Sequence, residues 1–327
     1  MEGGSMNDTR RRQFLHAAGV LFVAPSVALA QPVKHPYRIG LIGDGSSRPI
    51  EQSLNDLGYV EGRDFVLEIA RPVGRSDRFD AIASELVRRK VDVIVAGTPN
   101  AVLSAKRATA TIPIVMMHTP DPVQLGLVAS LARPGGNITG VTTLSDAPSI
   151  KQLELLKEAV ARVSRVAILW NRGNPWHPAT VRALRSSGES LRLGLHELDV
   201  HRPEEFDAAF RAMATERTDA VLVLADPLTF FHRERLADLA IAHRLPMMGS
   251  LRAYAEAGCL LSYWADAADV YRRAASYVDR ILKGADPGTL PVEQPTKFEF
   301  VANLKTARIL GITIAPSVLL RVDRVIE

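Results

Sequence analysis

At four predicted strand ends this chain sets a helix-capping side chain directly before proline: Thr98-Pro99, Asp121-Pro122, Asn174-Pro175 and Asp226-Pro227. Each puts a helix-capping residue ahead of one whose fixed φ suits the first helical position. A helix start carries unpaired N–H groups and the positive end of the dipole, so it attracts a carboxylate. An aspartate not used in capping, Asp121 or Asp226, can instead take an amine. Asn100 falls in the first turn behind Thr98. The loop Gly43-Asp44-Gly45-Ser46-Ser47 can wrap a ligand with its backbone N–H groups. Its glycines do not follow the order of a dinucleotide fingerprint, and no cofactor is expected. His118, Asn171, Trp176 and Tyr263 stand at comparable positions beside predicted strands. The plain alternative for each motif is that it only starts a helix, and for each aromatic that it only packs.

The elements that must position these residues are legible as alternation. Short apolar runs begin near residues 38, 65, 91 and 112, then resume near 166, 195, 220 and 246. Each interval suits one strand and one crossover helix, the unit of a parallel sheet. The runs are continuous rather than alternating, as in strands covered on both faces. Between them, Phe79, Ile82, Leu86 and Val87 share a helix face, as do Phe206, Phe210 and Met213. A longer helix carries Val270, Ala274, Tyr277, Val278 and Ile281, and Lys283-Gly284 ends it. Residues 133–149 are rich in turn formers and break the rhythm, which predicts a passage between two lobes. Further passages are expected near 258–263 and 291–295. The expected fold is α/β, with two Rossmann-like lobes, 36–143 plus 262–293 and 144–261 plus 294–327, and a three-segment hinge. Ligands of such sheets bind beyond the carboxyl ends of the strands.

Residues 10–30 read as a twin-arginine export signal. Arg10-Arg11-Arg12-Gln13-Phe14-Leu15 precedes an apolar stretch, and Ala28 and Ala30 suit a signal peptidase. The stretch is too short to span a bilayer. Cleavage near Ala30 gives a periplasmic chain starting near Gln31, and residues 1–5 read as an addition ahead of Met6. Cleavage removes three arginines and two acidic residues, leaving 37 basic and 34 acidic side chains, a net charge of +3. No basic block remains for nucleic acid, and no further apolar run of membrane length follows. Cys259 is the only cysteine, so no intramolecular disulfide can form. Sequence motifs for nucleophilic, metal-dependent or phosphate chemistry are lacking. His196, Asp199 and His201 lie in and just after a predicted strand with no further ligands nearby, so no metal site is expected there, and His177, His232 and His243 read as surface or capping residues.

Several segments resemble the substrate-binding proteins of ABC transporters, in the periplasmic-binding-protein type 1 group with tryptophan- and tyrosine-type binders. They are residues 57–62 (LGYVEG), 126–140 (GLVASLARPGGNITG), 153–157 (LELLK), 255–258 (AEAG), 290–298 (LPVEQPTKF) and 303–307 (NLKTA). The resemblance implies a two-lobed receptor, not an enzyme, that captures a small solute and presents it to an ABC permease. Two departures stand out: Asp44 and its neighbours replace a Ser/Pro-rich loop, and Cys259 replaces a second glycine. The expected ligand carries a carboxylate held at Ser46, Thr98 and Asn174, with an apolar or aromatic body against Trp176 or Tyr263. An exported α/β enzyme and a sensor for a membrane receptor are the competing readings.

Overall fold

The computed structural model describes residues 35–43, 45–143 and 146–327. The export segment and Asp44 lie outside them. The chain starts β1 (Tyr37–Ile42), α1 (Arg48–Asp56), β2 (Phe65–Ala70), α2 (Phe79–Arg88), β3 (Val93–Ala96), α3 (Pro99–Ala108), β4 (Ile114–Thr119) and β5 (Ile138–Thr142). It continues through α4 (Ala147–Ala159), β6 (Arg165–Trp170), α5 (His177–Ser190), β7 (Gly194–Asp199), α6 (Phe206–Thr215) and β8 (Ala220–Val223). Then follow α7 (Pro227–Phe231), α8 (Arg233–Ala242), β9 (Met247–Gly249), α9 (Arg252–Glu256), β10 (Leu261–Ala265) and α10 (Ala267–Leu282). The chain closes with β11 (Phe298–Asn303), α11 (Leu304–Leu310), α12 (Pro316–Leu319) and β12 (Arg324–Ile326).

Two sheets result, as the βα rhythm predicts. The first has order β2-β1-β3-β4-β5 and is wholly parallel; the second has order β12-β11-β10-β9-β8-β6-β7. Only the β10–β11 pair is antiparallel. Strand side chains alternate between faces, so each central strand feeds two cores. Val93, Val95, Val115 and Met117 pack beneath α1 and α10, while Ile94, Ala96, Ile114 and Met116 pack against α2 and α3. In the second sheet Val166, Ile168 and Trp170 face one core, and Ala167 and Leu169 the other. This two-sided burial explains the continuous apolar runs.

Three sequence expectations need correction. Residues 133–149 contain β5, a fully buried strand on the first sheet, rather than only a passage. Gly140 hid it: its φ of +129° lets the strand run close to Met116, where a side chain would not fit. The second passage follows Ala265 instead of falling within 258–263, because β10 stays in the second sheet. Asp121-Pro122 starts a single turn and not a helix. Asp121 Oδ1 accepts from the Gln124 N–H at 3.0 Å, and Gly126, at φ +64°, ends the turn.

The connecting segments lie side by side. The Thr142 N–H donates to the Glu293 carbonyl at 2.9 Å, and the Asp266 N–H donates to that of Lys297 at 3.0 Å. In both sheets the strand order reverses direction, beside β1 in the first and beside β6 in the second. Those reversals leave a crevice at the strand ends, where loops and helix starts can meet.

Candidate functional site

A cavity of about 140 Å³ lies among the carboxyl ends of strands from both sheets. From the first sheet it receives Gly43, Gly45, Ser46, Thr98 and His118; from the second, Asn174, Asp226, Ser250 and Trp264. Phe79, Phe230, Tyr254 and Tyr271 stand in its apolar wall, with Leu41, Met117 and Leu251. A smaller cavity of about 50 Å³ adjoins it, sharing Pro99, His118, Asn174, Ala225 and Trp264, and adds Thr143, Ser149, Trp176 and Thr180. Apolar walls with a few placed polar groups are what a small-molecule pocket requires.

Asp226 is the electrostatic centre. Its residue is 5% exposed, and among the described residues no Lys or Arg pairs with it. Its Oδ1 caps α7 by accepting from the Leu228 N–H at 2.9 Å and accepts from Asn171 Nδ2 at 3.2 Å. Its Oδ2 accepts from Asn174 Nδ2 at 3.1 Å. Neutral amides orient the carboxylate but leave its charge uncompensated. A buried anion without a cation is costly, so the position favours a cationic guest.

His177 stands behind this group. It is buried, not at the surface as the sequence suggested. Its Nε2 donates to the Ala225 carbonyl at 3.1 Å, and its Nδ1 accepts from the Asn171 N–H at 3.0 Å. Burial lowers its pKa below the ordinary value, against the pull of nearby Asp226. The neutral ring therefore braces the Asn171–Asp226 pair.

At the first sheet, Thr98 Oγ1 caps α3 by accepting from the Ala101 N–H at 3.2 Å, and the Val102 N–H goes to the Thr98 carbonyl. Pro99 has no N–H, which leaves that of Asn100 as the donor of this first turn. Ser46 Oγ accepts from the Arg48 N–H at 3.2 Å at the start of α1. The Gly45 carbonyl accepts from the Arg71 guanidinium at 2.5 Å. A Cβ on Gly45 would lie 3.3 Å from the Tyr271 hydroxyl, so this loop is held against α10.

Of the residues singled out in the sequence, Gly45, Ser46, Thr98, His118, Asn174 and Asp226 line the larger cavity, and Trp176 lines the smaller. Asn171 stands behind Asp226. Asn100 and Asp121 form no part of either wall. Tyr263 turns away and stacks on Phe298, with ring centroids 5.5 Å apart. Strand alternation sends its neighbour Trp264 into the cleft instead, a period-2 signal available in the sequence. Phe79 carried no such signal, since it belongs to an apolar helix stripe that reads as core, and Tyr271 stands beside such a stripe on α10.

His118 has a left-handed backbone, φ +49°, where the β4–β5 register shifts between Met116 and Thr119. Burial pushes its imidazole down to about 4 from 6.5. Between pH 6.5 and about 4 the unfolded chain therefore binds a proton that the native state refuses, and stability falls as pH falls. The loss should reach about 3 kcal/mol between pH 7 and pH 4. His118→Asn, which tolerates this backbone, should remove that part of the slope in urea unfolding. An unchanged slope would contradict the neutral imidazole.

Residues 26–326 match the family model described as ABC transporter substrate binding protein. The chain belongs to that family. It is 26% identical over 286 residues to a tyrosine-binding protein of Clostridioides difficile, covering 87% of this chain and 80% of the relative. A Streptococcus pneumonia structure, titled as an ABC domain in complex with L-Trp, superposes with a TM-score of 0.81 at 26% identity. That match covers 89% of this chain and all of the other. A conserved domain protein from Vibrio cholerae gives 0.82 at 27% identity, over 88% and 99% of the two chains. The family and the paired-sheet architecture are those the sequence segments implied. No helix of the described residues is long and apolar enough to cross a membrane.

Proposed function

We propose that this chain is an extracytoplasmic receptor that captures an amino acid with an aromatic or large apolar side chain and delivers it to an ABC permease. The observation that carries the reading is Asp226, a buried carboxylate at the cleft with amide partners only among the described residues. An α-ammonium group supplies the missing charge, in a site dry enough to make the pairing strong. The wall of Phe79, Phe230, Tyr254, Tyr271 and Trp264 suits an aromatic body. The names of the tyrosine-binding relative and the L-Trp complex point the same way.

The mechanism is capture by closure. The two sheets act as two lobes, and the three adjacent connecting segments act as their hinge. A guest that touches both lobes stabilises their closed arrangement, which the permease then reads. A guest that touches one lobe shifts nothing. Export follows the twin-arginine route, with cleavage near Ala30 and release into the periplasm.

Thermal unfolding with L-tyrosine, L-tryptophan and L-phenylalanine tests the reading. At 100 times its dissociation constant, a cognate amino acid should stabilise the chain by about 2.7 kcal/mol. If none of the three moves the transition at millimolar concentration, the amino-acid assignment is wrong.

A further inference from the structure

We propose that the smaller cavity is the carboxylate chamber of the site, and that His118 is its specificity-determining residue. The proposal rests on the amino-acid reading above and fixes how the guest lies. The twelve residues of the chamber wall include no acidic side chain. Three helices of ten or more residues begin around it: α3 at Pro99, α4 near Ser149 and α5 behind Trp176. The N-cap side chains of α4 and α5, Asp146 and Trp176, make no capping hydrogen bond; the Trp176 N–H goes to Asn174 Oδ1 at 3.1 Å, and the dipole ends of these helices lie beside the space.

The second observation is His118 itself. Its Nδ1 is sealed from solvent and has no hydrogen-bond partner among the described residues. The ring lines both cavities, carried there by a left-handed residue at the register shift of β4. A sealed ring nitrogen without a partner, at a strained backbone position, points to a group that arrives with the ligand. A neutral imidazole has one N–H to give, and a carboxylate is the acceptor the helix starts favour.

The volume fits. About 50 Å³ exceeds what one water position needs, roughly 10–15 Å³, and is too small for an aromatic ring. The guest then spans the boundary: carboxylate in the chamber, ammonium at Asp226 near the shared Asn174, and ring in the larger apolar cavity. This differs from the placement at Ser46 that the sequence suggests. Ser46 lines only the larger cavity and is engaged by the Arg48 N–H.

Calorimetry on the full exported chain, with L-tryptophan and tryptamine as probes, tests the assignment alongside a crystal structure of the L-tryptophan complex. His118→Leu and Ser149→Ala should each weaken L-tryptophan roughly 10- to 100-fold. Neither should change tryptamine binding by more than about twofold, since tryptamine has no carboxylate. His118→Asn should recover part of the loss, being a donor suited to that backbone. In the crystal the carboxylate should lie within hydrogen-bond reach of His118 and Ser149. Equal losses for both probes, or a carboxylate seated against Ser46, overturn the chamber while leaving the amino-acid reading intact. Failure of the wild-type chain to bind L-tyrosine, L-phenylalanine or L-tryptophan overturns both.

Discussion

Asp226→Asn should weaken amino-acid binding by roughly two to three orders of magnitude while leaving the fold in place. Truncating one partner of a buried charge pair costs about 2–5 kcal/mol, and about 1.4 kcal/mol is tenfold in affinity. The substitution separates two roles of one side chain. As a cap, Asn serves nearly as well as Asp, so the bond to the Leu228 N–H survives and α7 should form. As an anion, Asp226 is irreplaceable by a neutral amide. The free protein should even gain slightly in stability, because a buried charge with only amide partners has been removed. Calorimetric titration with L-tyrosine and L-tryptophan, together with urea unfolding of the free chain, reads both effects. Retention of wild-type affinity would show that the ammonium sits elsewhere.

The largest loss of stability should come from Gly140→Ala. An added Cβ would lie 2.3 Å from the carbonyl oxygen of Met116 and 2.7 Å from its nitrogen. Both are backbone atoms of β4, so no side chain can move aside. The φ of +129° adds strain of its own for any residue with a Cβ. Relief requires β5 to part from β4, which also disturbs the Thr142–Glu293 contact between the connecting segments. A cost of about 4 kcal/mol is expected, lowering the melting temperature by roughly 8–16 °C. Gly136→Ala, which would meet nothing within 4 Å, serves as the control and should stay near wild type. Similar melting temperatures for the two variants would refute the close approach of β4 and β5.

How much of this was legible in the residues depended on whether the signal was local. The βα rhythm was local, and its eight strands stand where the apolar runs placed them. Helix caps were local too: Thr98 and Asp226 each accept from an N–H of the helix they start. β5 was obscured because Gly140 and the preceding turn residues look like a linker, whereas their conformation serves a close strand approach. β10, β11 and β12 escaped because they leave the βα rhythm: β10 pairs antiparallel with β11, across α10 and the segment that follows it. The cavity lining was legible where a single motif carried it, as at Asp226. It was opaque where the cleft is walled by helix residues such as Phe79 and Tyr271. Their apolarity is identical to that of core neighbours, and only the meeting of two sheets separates wall from core.

The placement of α10 has a consequence for the order of synthesis. This helix covers the face of the first sheet formed by Val93, Val95, Val115 and Met117, yet it is made after every strand of that sheet. A ribosome adding about 5–20 residues per second leaves those valines without their roof for on the order of ten seconds. The amino-terminal half therefore cannot mature on its own while the remainder is being translated. Any fragment ending before residue 282 should be sticky and prone to precipitate, and a cytoplasmic chaperone has a defined stretch of nascent chain to shield.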